Sequence, residues 1–307
     1  MLWFQPDHAV SKSFDDPLTH FACIQICSHY PHYETFETFL PEDKAMREAC
    51  IREMKAHGKQ MRYNLPGVLQ VDGPFYPISD DPATRARAIE FAKMHVDFAG
   101  EAESTLIAAT TCTDRGEELR PEMMKRYTEY FLQMAEHAKQ YGMNVLLEPI
   151  ERHRFKKSLL GPTEESAAFI ADMQRQGADN AHLMLDMAHL PLMEENVDDA
   201  IAASLPVGLL HVHMGDAVLD PYNIFYGHTH PPVAVQGGMF DLPELTEQFV
   251  KLFECGFIPK APGEKRASIS LEVRPYPGVS EATSIQLMYE KMRSAFDAAA
   301  GQLGIYS

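Results

Sequence analysis

The chain has 307 residues, 45% hydrophobic and 23% charged, enough for one large domain with a sizeable core or for two small ones. Its 44 acidic against 27 basic residues give a formal charge of -17, which repels phosphate backbones and anionic lipid and argues against nucleic acid and membrane surfaces as partners. Cys23, Cys27, Cys50, Cys112 and Cys255 show no metal-ligand spacing and are expected to be buried thiols in a reducing cytoplasm; neither a membrane span nor a secretory signal is expected.

In chain order, Met1 to Phe4 is a short strand-like run, followed by strand candidates at roughly 22–27 and 61–70. Asp81 and Pro82 then form an N-cap and N1 pair; Ile89, Ala92, Val96 and Ala99 share one helical face, and Gly100 is expected to end the helix. A strand at about 104–110 precedes a helix opened by Pro121, striped by Tyr127, Phe131, Met134 and Ala138 and closed by Gly142. After a strand at about 143–148, Gly161-Pro162-Thr163 opens a helix that ends near Gly177. Strands at about 181–187 and 208–214 follow, then a helix with Asp241 and Glu244 in capping-box spacing, with Leu245, Phe249, Leu252 and Phe253 on one face and a stop at Gly256. A last strand at about 268–274 leads to a helix marked by Ile285, Met288, Tyr289, Met292 and Phe296.

Alternation of this kind implies a parallel sheet. Seven strands with Met1 to Phe4 as the eighth fit a single (β/α)8 barrel domain over residues 1–307, with active groups at the C-terminal strand ends. The competing doubly wound sheet would carry a Gly-rich turn after its first strand, and none is present. Residues 215–241 interrupt the rhythm with a segment too rich in Pro, Gly and His for a helix, and its aromatic content points to an ordered lid.

Four of the apolar runs end on a chemically active side chain: Glu148 in MNVLLEP, Asp186 in AHLMLDM, His213 in GLLHVHMGD and Glu272 in SISLEVRP. A buried parallel strand reads as a near-continuous apolar run, so each of these groups sits where its strand leaves the core. Three carboxylates and one imidazole suit a divalent cation, Mn²⁺ first, with Mg²⁺ or Co²⁺ as alternatives, and do not suit a Cys-type zinc site.

The series LLEPIER, LMLDMAHL, HVHMGD and LEVRP resembles the xylose-isomerase-like TIM-barrel superfamily, which includes ketose 3-epimerases, sugar-phosphate isomerase/epimerase-like proteins and abasic-site endonucleases. The resemblance covers most of the chain from about residue 81 and implies that Glu148, Asp186, His213 and Glu272 hold the metal, with His189 contacting substrate hydroxyls. It also implies that Glu148 and Glu272 act as acid and base on opposite faces of a sugar. His213 is preferred to His211 because it directly precedes Met214-Gly215-Asp216; the two are expected on opposite faces of their strand, with His211 packed in the core.

Two positions depart from the epimerase pattern: Arg154 stands where a substrate-binding Glu is expected, and Leu219 where an Arg is expected. The EPIERHRFKKSLLGPT and GHTHPPVAVQGG segments resemble the catalytic subunits of C-glycoside deglycosidases, which act on 3-oxo-glycosides. His153, Arg154 and Lys156, on the loop after Glu148 that also carries Lys157, and His228 and His230 in the long segment are candidate substrate contacts, and His29 and His32 with Tyr30 and Tyr33 are candidate pocket residues. The expected activity is a metal-dependent isomerase or epimerase of a keto-sugar or related polyol. A lyase cleaving 3-oxo-glycosides is the alternative; an abasic-site endonuclease and an inactive sugar-binding barrel rank below. The expected partners are a small carbohydrate and further copies of the chain, with a second small subunit if the protein is of the deglycosidase type.

Overall fold

The computed structural model describes residues 16–66, 73–261 and 267–305. The chain forms two compact units that divide within a strand, between Met184 and Leu185. In the N-terminal unit, α1 (Pro17–Ser28), β1 (Thr35–Thr38), α2 (Lys44–Ala56), β2 (Gln60–Asn64), α3 (Pro82–Glu101), β3 (Leu106–Thr110), α4 (Arg120–Ala138), β4 (Asn144–Glu148) and α5 (Thr163–Arg175) lead into β5 (Ala181–Asp186). Its strands neighbour one another in chain order, and each pair from β1/β2 to β4/β5 is parallel.

The C-terminal unit holds the last residues of β5, then α6 (His189–Met193), α7 (Val197–Ser204), β6 (Leu209–Met214), α8 (Leu242–Glu254), β7 (Ile269–Leu271) and α9 (Glu281–Gln302). β6 and β7 pair in parallel, with His213 opposite Ser270, and the Met187 amide donates to the His213 carbonyl at 3.0 Å. Leu245, Phe249, Leu252 and Phe253 of α8 are buried in one cluster with Met288, Met292 and Ala295 of α9. Burying each large apolar side chain contributes roughly 1.5–3 kcal/mol.

The helix punctuation read from sequence is present. Asp81 caps α3 by accepting from Ala83 and Thr84, and Asp241 and Glu244 form a capping box on α8. Gly142 adopts a left-handed φ of 61°, which suits glycine. Gly100, however, lies inside α3.

One strand expectation fails: residues 22–27 belong to α1, which Asp16 caps and Pro17 opens. The strand is instead Thr35–Thr38, short and polar, and His29 is the C-cap of α1. β2 spans Gln60–Asn64. Cys23, Cys27 and Cys255 are only half-buried, whereas Cys50 and Cys112 are buried. The proposed eighth strand, Met1 to Phe4, lies outside the described residues. Among the described residues no helix is long and apolar enough to cross a membrane.

Candidate metal centre

β4, β5 and β6 are buried nearly throughout, so polar groups at their C-terminal ends are held in place by the strands that carry them. In the C-terminal unit, Asp186 closes β5, His213 lies one residue before the end of β6 and Glu272 follows β7 directly. The Glu272 amide donates to the Met214 carbonyl at 3.1 Å, extending the β6/β7 pairing to the functional residue itself.

The three side chains converge. His213 Nδ1 lies 2.5 Å from Glu272 Oε2 and 3.9 Å from Asp186 Oδ2. Asp186 Oδ1 accepts from the Ala188 amide at 2.7 Å. Asp186 Oδ2 faces imidazoles: His189 Nε2 is at 3.3 Å and His230 Nδ1 at 3.6 Å. Burial would raise the Glu272 carboxyl, but the His230 and His213 imidazoles beside it, with the hydrogen bond from His213, hold it well below the usual carboxylate range.

These donors fit a divalent cation. Ligands held about 2.1 Å from one ion stand no more than about 4.2 Å apart, and the separations of His213 Nδ1 from Glu272 and Asp186 fall inside that limit. Two oxygens and one nitrogen, all buried, suit a hard or borderline ion. Gly215 is part of the same construction: a Cβ there would lie 3.0 Å from the Glu272 carbonyl oxygen and 3.2 Å from Ala188 Cβ.

Three further imidazoles, His189, His228 and His230, each bring a ring nitrogen within 4.8 Å of the others. His189 is buried at the start of α6 and stacks on His228 with ring centroids 4.6 Å apart. His228 and His230 face each other through Nε2 atoms 3.1 Å apart, so one ring donates and the other accepts. His230 has a left-handed φ of 47°, and its carbonyl accepts from the Arg274 amide at 2.8 Å. Arg274 Nε also reaches the Thr229 carbonyl at 2.6 Å. Sequence reasoning passed over Arg274, although it stands two residues beyond Glu272.

His211 corrects a geometric expectation. Residues two apart on a strand share a face, and the His211 and His213 rings lie 5.1 Å apart. Both are fully buried, and His211 differs by partner rather than by face: its Nδ1 pairs with Ser268 Oγ at 2.8 Å, whereas His213 Nδ1 faces Glu272 and Asp186.

The remaining candidates belong to the N-terminal unit. Glu148 is buried as the last residue of β4. Beyond it, His153 and Lys156 are exposed and Arg154 is half-buried. The better-placed groups in this loop were not singled out by sequence. Glu151 is buried and accepts from the Lys156 amide at 2.9 Å, and Arg152 pairs with Glu165 at 2.5 Å. Gly161 permits the crossing, since a Cβ there would sit 2.7 Å from the Arg152 amide nitrogen. His29 and His32 lie between α1 and β1 and are exposed.

Comparison with known proteins agrees with this architecture. An L-ribulose 3-epimerase of Mesorhizobium japonicum is 30% identical over 44% of this chain and 45% of its own length. A D-psicose 3-epimerase of Agrobacterium fabrum is 32% identical over 27% of each chain. The matches thus span less than half the length of these curated relatives. A solved L-ribulose 3-epimerase structure superposes with a TM-score of 0.67 at 17% identity, covering 94% of this chain and 91% of the other. Residues 21–253 match the model of one family, and the chain belongs to it: the xylose isomerase-like TIM barrels.

Proposed function

We propose that this protein is a divalent-metal-dependent isomerase or epimerase of a keto-sugar, with Glu148, Asp186, His213 and Glu272 as the metal ligands. The observation that carries this reading is the convergence of buried Asp186, His213 and Glu272 within bonding range of one ion. Support also comes from two relatives that are ketose 3-epimerases. Mn²⁺ suits this mixed oxygen and nitrogen set, with Mg²⁺ and Co²⁺ as alternatives. Such an ion, when bound, polarises a carbonyl and acidifies the neighbouring C–H.

The chain's own residues supply the rest. Glu272, held ionised beside His213, can take a proton from the carbon next to the carbonyl. Glu148 is assigned the opposite face, where its carboxyl group delivers a proton of its own to the same carbon with inversion, while Glu272 keeps the one it removed. His189, His228 and His230 offer ring nitrogens to substrate hydroxyls. Arg154, with His153 and Lys156 beside it, replaces the carboxylate of the epimerase pattern, and Leu219 replaces its arginine, so the sugar recognised differs from that of the two relatives. The same departures support the second reading, a lyase that begins with the same proton removal and then expels a group β to the carbonyl of a 3-oxo-glycoside.

A panel of ketopentoses, ketohexoses and 3-oxo-glycosides, incubated with the Mn²⁺-loaded protein in deuterated water, separates the readings. Deuterium in an intact skeleton with an inverted centre supports the epimerase. Release of an aglycone supports the lyase. Absence of tightly bound metal in the purified protein, with no turnover of any panel member after Mn²⁺ is added, overturns both.

A further inference from the structure

The segment from Gly215 to Asp241 carries His228 and His230, and its order does not come from its own aromatic side chains. Tyr222 and Ile224, at its tip, are 95% and 83% exposed. Polar anchors hold it instead. Asp216 Oδ1 accepts from the amides of Ala217 at 2.8 Å, Met239 at 2.9 Å and Phe240 at 3.1 Å, and its Oδ2 accepts from Ala234 at 3.2 Å. One carboxylate thereby joins the start, middle and end of the segment. A Cβ at Gly238 would lie 2.2 Å from Asp216 Oδ2, so a side chain there would displace the carboxylate.

The opposite edge is held through carbonyls. Arg274 takes those of Thr229 and His230, while Tyr276 Oη donates to Val233 O at 2.6 Å and Lys291 Nζ to the same oxygen at 3.3 Å. Between the two edges, His230 and Ala234 adopt left-handed φ values of 47° and 57°. Non-glycine residues keep such conformations only where surrounding contacts over-determine them. Asp216 is itself buried, and burial pushes its carboxyl up to about 7 in spite of the four amides. An apolar residue would avoid that desolvation but would leave the amides of Ala217, Ala234 and Phe240 without their acceptor, while Met239 keeps the Ala217 carbonyl.

We propose that Asp216 is a positioning residue: by gathering the amides of Ala217, Ala234, Met239 and Phe240 it sets the backbone that places His230 beside Asp186 and Glu272 and His228 against His189 and His230. The functional part of this assignment rests on the epimerase reading, but the positional part does not. Asp216→Asn is the sharpest probe. Whichever way the amide is turned, its N–H₂ faces amide N–H groups that the carboxylate accepts, so at least one bond is lost. Gly238→Ala keeps the Asp216 side chain chemically intact but displaces it sterically, so the proposal does not depend on one variant folding.

The test reads ring nitrogens of ¹⁵N-histidine-labelled protein exchanged into Mg²⁺, a diamagnetic ion, with resonances assigned by H228Q and H230Q. The native protein should show one protonated and one accepting Nε2 for the His228–His230 pair. Asp216→Asn and Gly238→Ala should both lose that signature, while Leu252→Ala, which destabilises the core of the same unit, should keep it. Where a ketose is turned over, kcat should fall by about tenfold to a hundredfold with KM changed less, the usual cost of small misplacements in a catalytic site. If both loop variants keep the native signature, the proposal is overturned. If they lose it and the wild type turns over no ketose, the epimerase reading fails while the positioning role stands.

Discussion

In the N-terminal unit, Asp114 sits between Arg120 at 2.6 Å and Arg152 at 3.6 Å, and Arg47, stacked over Phe98, pairs with Glu101 at 2.7 Å. In the C-terminal unit, Asp186 and Glu272 meet the imidazoles of His189, His213 and His230. Both arrangements neutralise carboxylates, half-buried Asp114 and exposed Glu101 in the first and buried Asp186 and Glu272 in the second, but they differ in what can be exchanged. A guanidinium is permanently charged, and it fixes the site as structure. Burial would raise the Asp114 carboxyl, and the Arg120 hydrogen bond and Arg152 charge hold it below its ordinary value. An imidazole can give up its proton and offer a lone pair, so a carboxylate and imidazole cluster can pass from sharing protons to holding a cation.

The sharpest break between the two regions should come from single-atom changes at the carboxylates. Glu272→Gln removes the charge and the base while keeping the shape, and turnover should fall at least about a hundredfold even with metal in excess. Glu148→Gln should behave likewise if the two residues serve opposite faces. Full activity in either metal-loaded variant would remove that residue from proton transfer and return the search to His189 and the 228–230 segment.

Next in size is metal occupancy. His213→Ala should lose more than about a hundredfold in Mn²⁺ affinity, whereas His211→Ala should lose at most the roughly tenfold to hundredfold that a residue behind a ligand contributes. Metal analysis and thermal shift read this directly, because an ion at a hundred times its Kd adds about 2.7 kcal/mol to apparent stability. Loss of metal on replacing His211 alone would invert the assignment of these two rings.

The Arg152 network should show the opposite profile. Arg152→Met leaves Asp114 with Arg120 and the Gly116 amide as partners, and takes the guanidinium from Glu165 and from the Leu159 carbonyl. Stability should drop by about 1–3 kcal/mol, the usual cost of an under-satisfied buried group, with metal stoichiometry unchanged. Loss of metal from this variant would show that the guanidinium network also supports the centre.

How much of this was legible in the sequence follows the same division. The ends of β4, β5 and β6 could be read because strands buried on both faces must be apolar until they leave the core, which makes Glu148, Asp186 and His213 stand out. β1 could not, since Thr35–Thr38 is short and polar, while the apolar FACIQIC stretch belongs to α1. The inward residues of α1 are His20, Ile24 and Ser28, a helical face with polar ends that no apolar pattern reveals. The 215–241 segment reads as an ordered lid from its aromatic content, but the aromatic side chains are not what anchors it. Its aromatic tip is exposed, and the organising group is Asp216, which in sequence looks like any turn residue after a strand.

The smallest expected effect is a difference in the sign of pH dependence. His95, in the N-terminal unit, is buried against Tyr63 Oη at 2.7 Å, and burial first, with the Arg47 charge second, lowers it to about 3. Between that value and its ordinary 6.5 the unfolded chain binds the extra proton, so this contribution to stability is present above 6.5 and is lost as pH falls. Asp216 runs the other way. Its folded carboxyl is raised from 3.8 to about 7, so the folded chain binds the extra proton across that interval. Its contribution is present below 3.8 and is lost as pH rises through about 7. Over the shared interval the two slopes oppose, and substitution should separate them. In denaturant titrations between pH 4.5 and 7.5, His95→Gln should make stability fall more steeply as pH rises, because only the Asp216 contribution remains. Asp216→Asn should make stability rise more steeply with pH, because only the His95 contribution remains. Parallel pH profiles for the wild type and Asp216→Asn would show that the carboxylate is ionised throughout, and that its four amide donors outweigh its burial.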